Sequence, residues 1–590
     1  MIDITINGKT HSVEEDQTIL QVAKQVGILI PHLCYLENVH DCGSCRLCIV
    51  EVEGRPNFQA SCMTKAISGM NIKTNTEELR HARKLIYELI LSDHNKDCLS
   101  CTRNQSCELQ AMGEVLDLTT QRFEGERSKT IVESSNPSIE RDMSKCILCR
   151  RCVTMCNDIQ SVGILNPQNR GFTTVIGPAE GFELMDVNCT YCGQCTTVCP
   201  VGALKEKDAI KDVWAAIQDP SKRVVVQTAP AVRAALGEEF GYEAGTLVTG
   251  KMASALRLLG FDDVFDTNFA ADLTIIEEGH ELLDRVGKAL SGAETTLPMI
   301  TSCSPGWIKY AEHSFPEQLA NLSSCKSPHM MLGALTKSYY AQKIEVLPES
   351  FYVVSVMPCT AKKYEVSRQE MVNDVDAVLT TRELARMIKT AGIDFRGLAD
   401  SEFDNPLGLS SGAADIFAST GGVMEAAIRT VYEVVTGDEL PFENLHVTPL
   451  VGFEGIKTAD LFISKTTADW KALEGLTVKV AVASGLSNAK ILLQEIKDGT
   501  SPYHFIEIMC CPNGCISGGG QPRPINEEIR QKRMLAIYRE DEQKELRKSH
   551  DNPYIAKLYE DFLGKPLGHK SHELLHTHYV KRGKFNEYLK

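Results

Sequence analysis

The chain has 590 residues, with 62 basic and 78 acidic side chains and a formal charge of −16. That length implies several domains with cores of their own, and 43% hydrophobic and 24% charged residues are ordinary for a globular protein. The unusual quantity is 22 cysteines, sixteen of them between Cys34 and Cys199. A disulfide scaffold is normally short and secreted, whereas this chain opens on MIDITINGKT, without the basic and apolar regions of a signal peptide. No apolar stretch approaches the ~20 residues of a membrane span. Dispersed basic residues in an acidic chain argue against nucleic-acid binding. The composition points to a cytoplasmic protein whose first third uses thiolates as metal ligands.

Residues 1–78 read as a small β-rich module: IDITING and KTHSVEE suggest a hairpin around Asn7 and Gly8, TILQVAKQVG has helical periodicity, and CIVEVEG looks like a strand. Residues 79–125 are helix-rich, with the amphipathic ELRHARKLIYELILSDH running into a cysteine cluster. The stretch 126–140, containing ESSNPS, reads as a linker, and a cysteine-dense module follows to residue 209. Residues 210–590 form one further unit. In it RVVVQ, LPMIT, FYVVSVM, AVLTT, LTVKVAVA and YHFIEIM alternate with helical patterns such as MASALRLLG and TRELARMIKTAG, the signature of an α/β domain with mostly parallel sheets. Three of these runs end at cysteine: Cys303, Cys359, and the pair Cys510 and Cys511. Open α/β sheets place their sites at the carboxyl ends of strands, so these cysteines are expected to converge. The stretch 522–590 reads as a polar helical tail without evident chemistry.

Four cysteine sets occupy the first third. Cys146-x2-Cys149-x2-Cys152-x3-Cys156 is repeated as Cys189-x2-Cys192-x2-Cys195-x3-Cys199-Pro200. In this bacterial two-cluster ferredoxin spacing three cysteines hold one [4Fe–4S] cube and the fourth reaches the other. The expected sets are therefore Cys146, Cys149, Cys152 and Cys199, and Cys156, Cys189, Cys192 and Cys195. Zinc is the competing metal, but zinc sites rarely use interleaved eight-cysteine repeats. Cys34-x10-Cys45-x2-Cys48-x13-Cys62 suits a plant-type-like [2Fe–2S] centre, with Cys42 as competitor for one position and the better candidate for a spare thiol. His94-x3-Cys98-x2-Cys101-x5-Cys107 offers three thiolates and an imidazole for a third accessory [4Fe–4S] cluster; the alternative is an incidental helix-end histidine. Four clusters in succession suit the movement of single electrons between the surface and a buried site.

Beyond them, TSCSPGW (301–307), MPCTAKKYE (357–365) and EIMCCPNGCISGGGQP (507–522) resemble the three signature motifs of [FeFe]-hydrogenases. The order of modules before them is similar to that of the large clostridial-type monomeric members, so the resemblance covers essentially the whole chain. It implies a β-grasp [2Fe–2S] module, a small helical module, a two-cube ferredoxin module and a two-lobed α/β domain. The lobes would enclose an H-cluster, a [4Fe–4S] cube joined through cysteine sulfur to a diiron unit bearing CO, cyanide and azadithiolate. The implied reaction is 2H⁺ + 2e⁻ ⇌ H₂, with maturation proteins supplying the diiron unit and ferredoxin exchanging electrons.

Residue by residue, the resemblance implies Cys359, Cys511 and Cys515 as cube ligands, Cys515 as the bridge, and Lys362 beside a cyanide. Pro230, Ala231, His329, Ser304, Met357 and Met509 stand at cofactor-facing positions, Ala231 where serine is usual and His329 where glutamine is usual. Glu278 and Glu281, three apart and so on one helix face, match with Arg285 and Ser323 a proton relay whose inner member is Cys303. The first motif departs from the family: its usual second cysteine, a cube ligand, is Ser304, a harder and more basic donor than thiolate. Either Ser304 ligates or the loop shifts and Cys303 takes the iron. The expectation is that Cys303 ligates and that Cys510, where alanine is common, handles protons together with His329. Cys325 reads as a buried thiol, and Gly518 to Gly520 as a place of close backbone approach to a cofactor rather than a phosphate loop.

A ferredoxin-coupled hydrogenase is thus the main expectation. The alternatives are the catalytic subunit of an NAD(P)H-linked complex and a non-catalytic hydrogen sensor or iron–sulfur assembly homologue. An electron-transfer subunit of a respiratory dehydrogenase would leave the three late motifs without purpose.

Overall fold

The computed structural model describes residues 1–179, 181–371 and 373–583. The last residues of the expected tail, 584–590, lie outside them. Among the described residues no helix is long and apolar enough to cross a membrane, and no two cysteines form a disulfide.

The N-terminal module is a five-stranded sheet in the order Lys9–Val13, Ile2–Ile6, Asn71–Lys73, Ile49–Val52, Gln59–Ala60. Asn7 and Gly8 both have positive φ (51° and 83°), the conformation of a two-residue hairpin turn that matches strand twist. Helix Ile19–Gln25, opened by a Thr18–Gln21 capping box, packs Ile19, Leu20 and Val22 against Ile4, Val50 and Ile72. Helix Glu77–Ser92, capped by Thr76, then delivers the chain to His94.

The segment 126–140 is not a linker. Strands Val132–Glu133 and Ile139–Asp142 pair with each other, and the second pairs with Leu204–Glu206. ESSNPS supplies the turn: fully buried Asn136 accepts hydrogen bonds from the Ser138 and Ile139 amides through Oδ1 and donates to Ile139 O. Such a residue satisfies buried backbone groups locally, which composition alone reads as loop.

The remainder has two lobes. In the first, strands Asp263–Asp266, Arg223–Thr228, Phe351–Met357 and Ala377–Thr380 lie parallel in that order. Their near-continuous apolar runs are buried on both faces, as in parallel sheets covered by helices. In the second, Met299–Ile300, Phe505–Met509 and Thr477–Ser484 are parallel, and Ile456–Phe462 is added antiparallel at the edge. That edge strand has no clear signal in the sequence, because its inward positions are Lys457, Ala459 and Leu461. The lysine is buried by donating to Thr420 O and Gly452 O, both at 2.9 Å.

Helix Thr267–Leu290 belongs to both lobes: Phe269, Leu273 and Ile276 enter one core, and Ala271, Ile275 and Leu282 the other. The C-terminal tail also straps both. Met534, Ile537 and Tyr538 join the second core, and Ile555, Leu558 and Leu575 the first.

Candidate functional site

The structure gathers the early cysteines into separate groups. In the first module Cys48 Sγ is 3.3 Å from Cys62 Sγ, and the Cys45 amide donates to Cys34 Sγ at 3.5 Å. Cys42 is exposed, its thiol directed to Cys149 O at 3.8 Å. His94 is buried, its Nδ1 has no hydrogen-bond partner, and burial lowers its pKa to about 4. A neutral imidazole with an orphaned nitrogen fits a metal-ligand role, since leaving it unpaired costs ~1–3 kcal/mol. The loop of Cys98, Cys101 and Cys107 packs on the next module: a side chain at Gly202 would lie 2.6 Å from Cys101 Sγ, and Cys107 Sγ approaches Pro200 O at 3.8 Å.

The eight repeated cysteines line two small cavities. One is bounded by Cys146, Cys149, Cys152 and Cys199, the other by Cys156, Cys189, Cys192 and Cys195. Leu148, Arg150, Tyr191 and Gly193 have positive φ, unusual for three of them. Such alternation curls a loop so that its amides point inward, the concave arrangement found around iron–sulfur sites. Burial first, and then the neighbouring thiols' charges, raises Cys152 and Cys195 well above the ordinary thiol range. Holding four thiolates there requires a compensating cation, which a metal provides. The donor sets therefore fit iron–sulfur clusters.

A cavity of ≈ 90 Å³ lies where the two lobes meet the ferredoxin-like module. Strands Arg223–Thr228, Phe351–Met357, Met299–Ile300 and Phe505–Met509 all open onto it from their carboxyl ends. They bring Pro230, Cys303, Ser304, Met357, Cys359, Met509, Cys510 and Cys511 to one lining, joined by Cys515, Lys362 and His329. Cys192 also lines it, and so borders two cavities at once. Burial first, and then the charges of Cys511 and Cys515, raises Cys359. The fit to a cube is again that of clustered buried thiols.

The run Gly518 to Gly520 packs tightly against protein, and Gly518 also lines the cavity. Side chains there would come within 2.2 Å of Pro358 O, 2.6 Å of Cys192 O and 2.7 Å of Thr380 Cβ. Gln194 Nε2 donates to Ser517 O (2.9 Å) and Thr196 Oγ1 to Gly519 O (3.0 Å), which clamps the third motif to the ferredoxin-like module.

Lys362 Nζ donates to Cys303 O at 3.1 Å and to Glu365 Oε2 at 2.7 Å. His329 Nε2 meets Glu365 (2.7 Å) and its Nδ1 meets Ser355 Oγ (3.1 Å), so both ring nitrogens are engaged. Burial and the Lys362 charge lower it to about 4. Ala231 does not line the cavity; it is wholly buried, and its carbonyl accepts Gln521 Nε2 at 3.0 Å.

Glu278 is buried and is an electrostatic neighbour of Cys303. Its Oε1 meets the Ser302 amide only at 3.4 Å, and Oε2 is buried without a partner. Burial and the neighbouring Glu281 raise it to about 7. Burial and then Glu278 raise the Cys303 thiol. Further out, Ser323 Oγ donates to Glu281 Oε2 at 3.0 Å, and Arg285 binds Glu281 Oε1 at 2.6 Å.

The tail contributes here, contrary to the sequence reading. His576 Nδ1 meets Ser324 Oγ at 2.8 Å, its Nε2 meets Glu277 at 3.1 Å, and it forms a buried trio with Glu281 and Cys325. Its ring centroid lies 4.3 Å from that of exposed His572, the two planes tilted by 42°. No motif announced this; His572 and His576, one helical turn apart, were the only available signal.

Residues 222–519 match the family of the iron-only hydrogenase large subunit, C-terminal domain, and residues 527–582 the iron hydrogenase small subunit. Residues 1–77 match a 2Fe-2S iron-sulfur cluster binding domain, 83–122 an NADH-ubiquinone oxidoreductase-G iron-sulfur binding region, and 136–205 a ferredoxin-like domain of NADH-quinone oxidoreductase subunit 3. The chain is 51% identical to the NADP-reducing hydrogenase subunit HndD of Solidesulfovibrio fructosivorans, over 99% of each. It is 39% identical to iron hydrogenase 1 of Clostridium pasteurianum, over 98% of this chain and 100% of that one. Among solved structures, [FeFe]-hydrogenase HydA1 from Chlamydomonas reinhardtii aligns at 43% identity and a TM-score of 0.57, covering 63% of this chain and 99% of that one. Thiol-lined cavities leading to a two-lobed site, and likeness along the whole length, have one conclusion: the chain belongs to the [FeFe]-hydrogenases, iron–sulfur oxidoreductases of hydrogen.

Proposed function

We propose that this chain interconverts protons and H₂ in the central cavity, with its first 209 residues passing electrons singly between the surface and that cavity. The observation that carries the reading is Cys192, whose residue borders both the second ferredoxin-like cavity and the central one. An H-cluster there, a cube plus a diiron unit with CO, cyanide and azadithiolate, would supply the hydrogen chemistry. Cys359, Cys511 and Cys515 would hold the cube, and Lys362 would present its ammonium to an anionic ligand.

The four functional units are 1–78 with Cys34, Cys45, Cys48 and Cys62 on a [2Fe–2S] cluster; 79–125 with His94, Cys98, Cys101 and Cys107; 126–209 with the two interleaved cubes; and 210–590 with the catalytic site. Protons would move between Cys303 and the surface through Glu278, Ser323, Glu281 and Arg285, a route supported by the 3.0 Å and 2.6 Å contacts at its outer end. Cysteines used as metal ligands, with no disulfide among the described residues, suit a reducing cytoplasm.

Ferredoxin is the partner in this reading. A second one, membership of an NADP-reducing complex, is favoured by the 51% identity to a subunit of that name. Infrared spectra of anaerobically matured protein test the first claim: bands in the CO and CN stretching region with H₂ evolution from reduced ferredoxin are expected, and their absence rejects it. H₂-dependent NADP⁺ reduction by a co-purified larger assembly, and not by the isolated chain, would establish the second.

A further inference from the structure

A cube has four irons and takes four protein ligands. Cys359, Cys511 and Cys515 are electrostatic neighbours in the central cavity, so one ligand remains to be found among the other lining groups. Lys362 is committed to Glu365 and Cys303 O, and both nitrogens of His329 are taken. Cys192 belongs to the adjoining four-thiol cavity. Ser304 Oγ accepts the Cys510 amide at 3.3 Å, and an alkoxide is a harder and far more basic donor than a thiolate. That leaves Cys303 and Cys510.

The two thiols lie on different sides. The charged groups around Cys303 are Glu278 and Lys362, followed by Cys515. Cys510 has the Cys192 and Cys511 thiols as its nearest electrostatic neighbours, toward the ferredoxin-like cavity that Cys192 also lines. Its Sγ occupies the space beside Gly306, where a side chain would stand 2.7 Å away, over the first turn of helix Pro305–Ser314. Glycine at 306 therefore leaves Cys510 its place beside the 303–304 loop, and the helix N-terminus favours a thiolate there.

We propose that Cys510 is the fourth cysteine ligand of the cube, with Ser304 holding its backbone amide and Cys303 kept free for proton transfer. This rests on the hydrogenase reading and reverses the expectation that Cys303 takes the iron. Binding exchanges an S–H bond for an S–Fe bond and releases one proton, with no change of oxidation state.

The test uses the full chain produced without the diiron maturation proteins, so that its iron is that of iron–sulfur clusters alone. Iron per chain and the EPR spectrum of the reduced protein are read for wild type, Cys359→Ala, Cys510→Ala, Ser304→Ala and the double variant Ser304→Cys/Cys510→Ala. The expected result is that Cys510→Ala loses about four irons and one cube signal, as Cys359→Ala does. Ser304→Ala should keep both, and the double variant should regain them, with the accessory-cluster signals reporting an intact fold throughout. Cys510→Ala retaining its iron and signal while Cys359→Ala loses them overturns the proposal. Retention by Cys359→Ala as well overturns the reading of the cavity as a cube site. Cys510→Ser, which keeps the volume, gives an altered or missing cube signal; a spectrum identical to wild type also overturns the proposal.

Discussion

Lys362 and Glu365, three residues apart on one short helix, form a buried ion pair of 2.7 Å at the edge of the central cavity. Glu365 also receives His329 at 2.7 Å. Although burial alone would raise it, Lys362 and His329 hold the carboxyl at about 2, against an ordinary 4.5. Its folded value is depressed, so its contribution is complete above pH ~4.5 and lost as pH falls toward 2. His329, neutral when folded at about 4 against 6.5, adds to the loss below pH 6.5. Glu365→Gln strands the lysine charge and is expected to cost ~3–5 kcal/mol at pH 7. Its melting temperature should depend less on pH than wild type between pH 5 and 3; equal acid slopes for the two proteins would refute this account.

Glu278, raised to about 7, can both take and give a proton near neutrality. Glu278→Gln removes that capacity and should lower H₂ turnover by roughly 10²–10⁴-fold with iron content unchanged. Stability supplies a second reading of the same group. A buried carboxyl with a raised folded value destabilises the protein as pH rises through 7, so the variant should gain stability over wild type at pH 8 relative to pH 5. Turnover within a factor of two of wild type would remove Glu278 from the relay.

His94 carries no negative charge as a ligand. Replacing it by cysteine should keep a cluster and move its potential downward, because an added thiolate makes the cluster more anionic. His94→Ala should lose the cluster. A redox titration followed by EPR separates these outcomes, and an unshifted set of potentials in His94→Cys would show that the imidazole is incidental.

Cys42 is exposed and its thiol is directed to Cys149 O. Cys42→Ser should leave iron content and the [2Fe–2S] spectrum unchanged. Mild alkylation of the native protein should modify Cys42 ahead of the buried cysteines, which peptide mapping would read directly.

In the tail, Asp541 receives Arg429 at 2.9 Å and Arg547 at 2.7 Å, and both Asp541 and Arg429 are fully buried. Asp541→Asn leaves Arg429 with Glu425 alone, at 2.6 Å, and Arg547 without an acidic partner, and should cost ~1–3 kcal/mol. Calorimetry of the catalytic transition would measure it; a change below 1 kcal/mol would mean that the tail is not integral to the second lobe.

Much of the site was legible because iron–sulfur ligation repeats at short fixed spacings: the two ferredoxin-like cavities contain the interleaved sets read from the repeat. Parallel strands were legible for a similar reason, since burial on both faces writes an unbroken apolar run. The edge strand Ile456–Phe462 was hidden by the inward Lys457, and the 132–142 hairpin by polar residues that bond their own backbone. His576 was invisible because its partners Glu277 and Ser324 are some 250 to 300 residues away in sequence.

The sixteen early cysteines and the three late motifs thus determined, without coordinates, that this chain binds several iron–sulfur clusters and belongs with the hydrogenases. What only the tertiary structure decided is placement: Ser304 Oγ accepts the Cys510 amide, and the tail's His576 stands against Ser324 and Glu277. Adjacent or single residues in a motif say nothing of the direction in which a side chain leaves the backbone. Here direction separates Cys510, turned to Cys192 and Cys511, from Cys303, set beside Glu278 and Lys362.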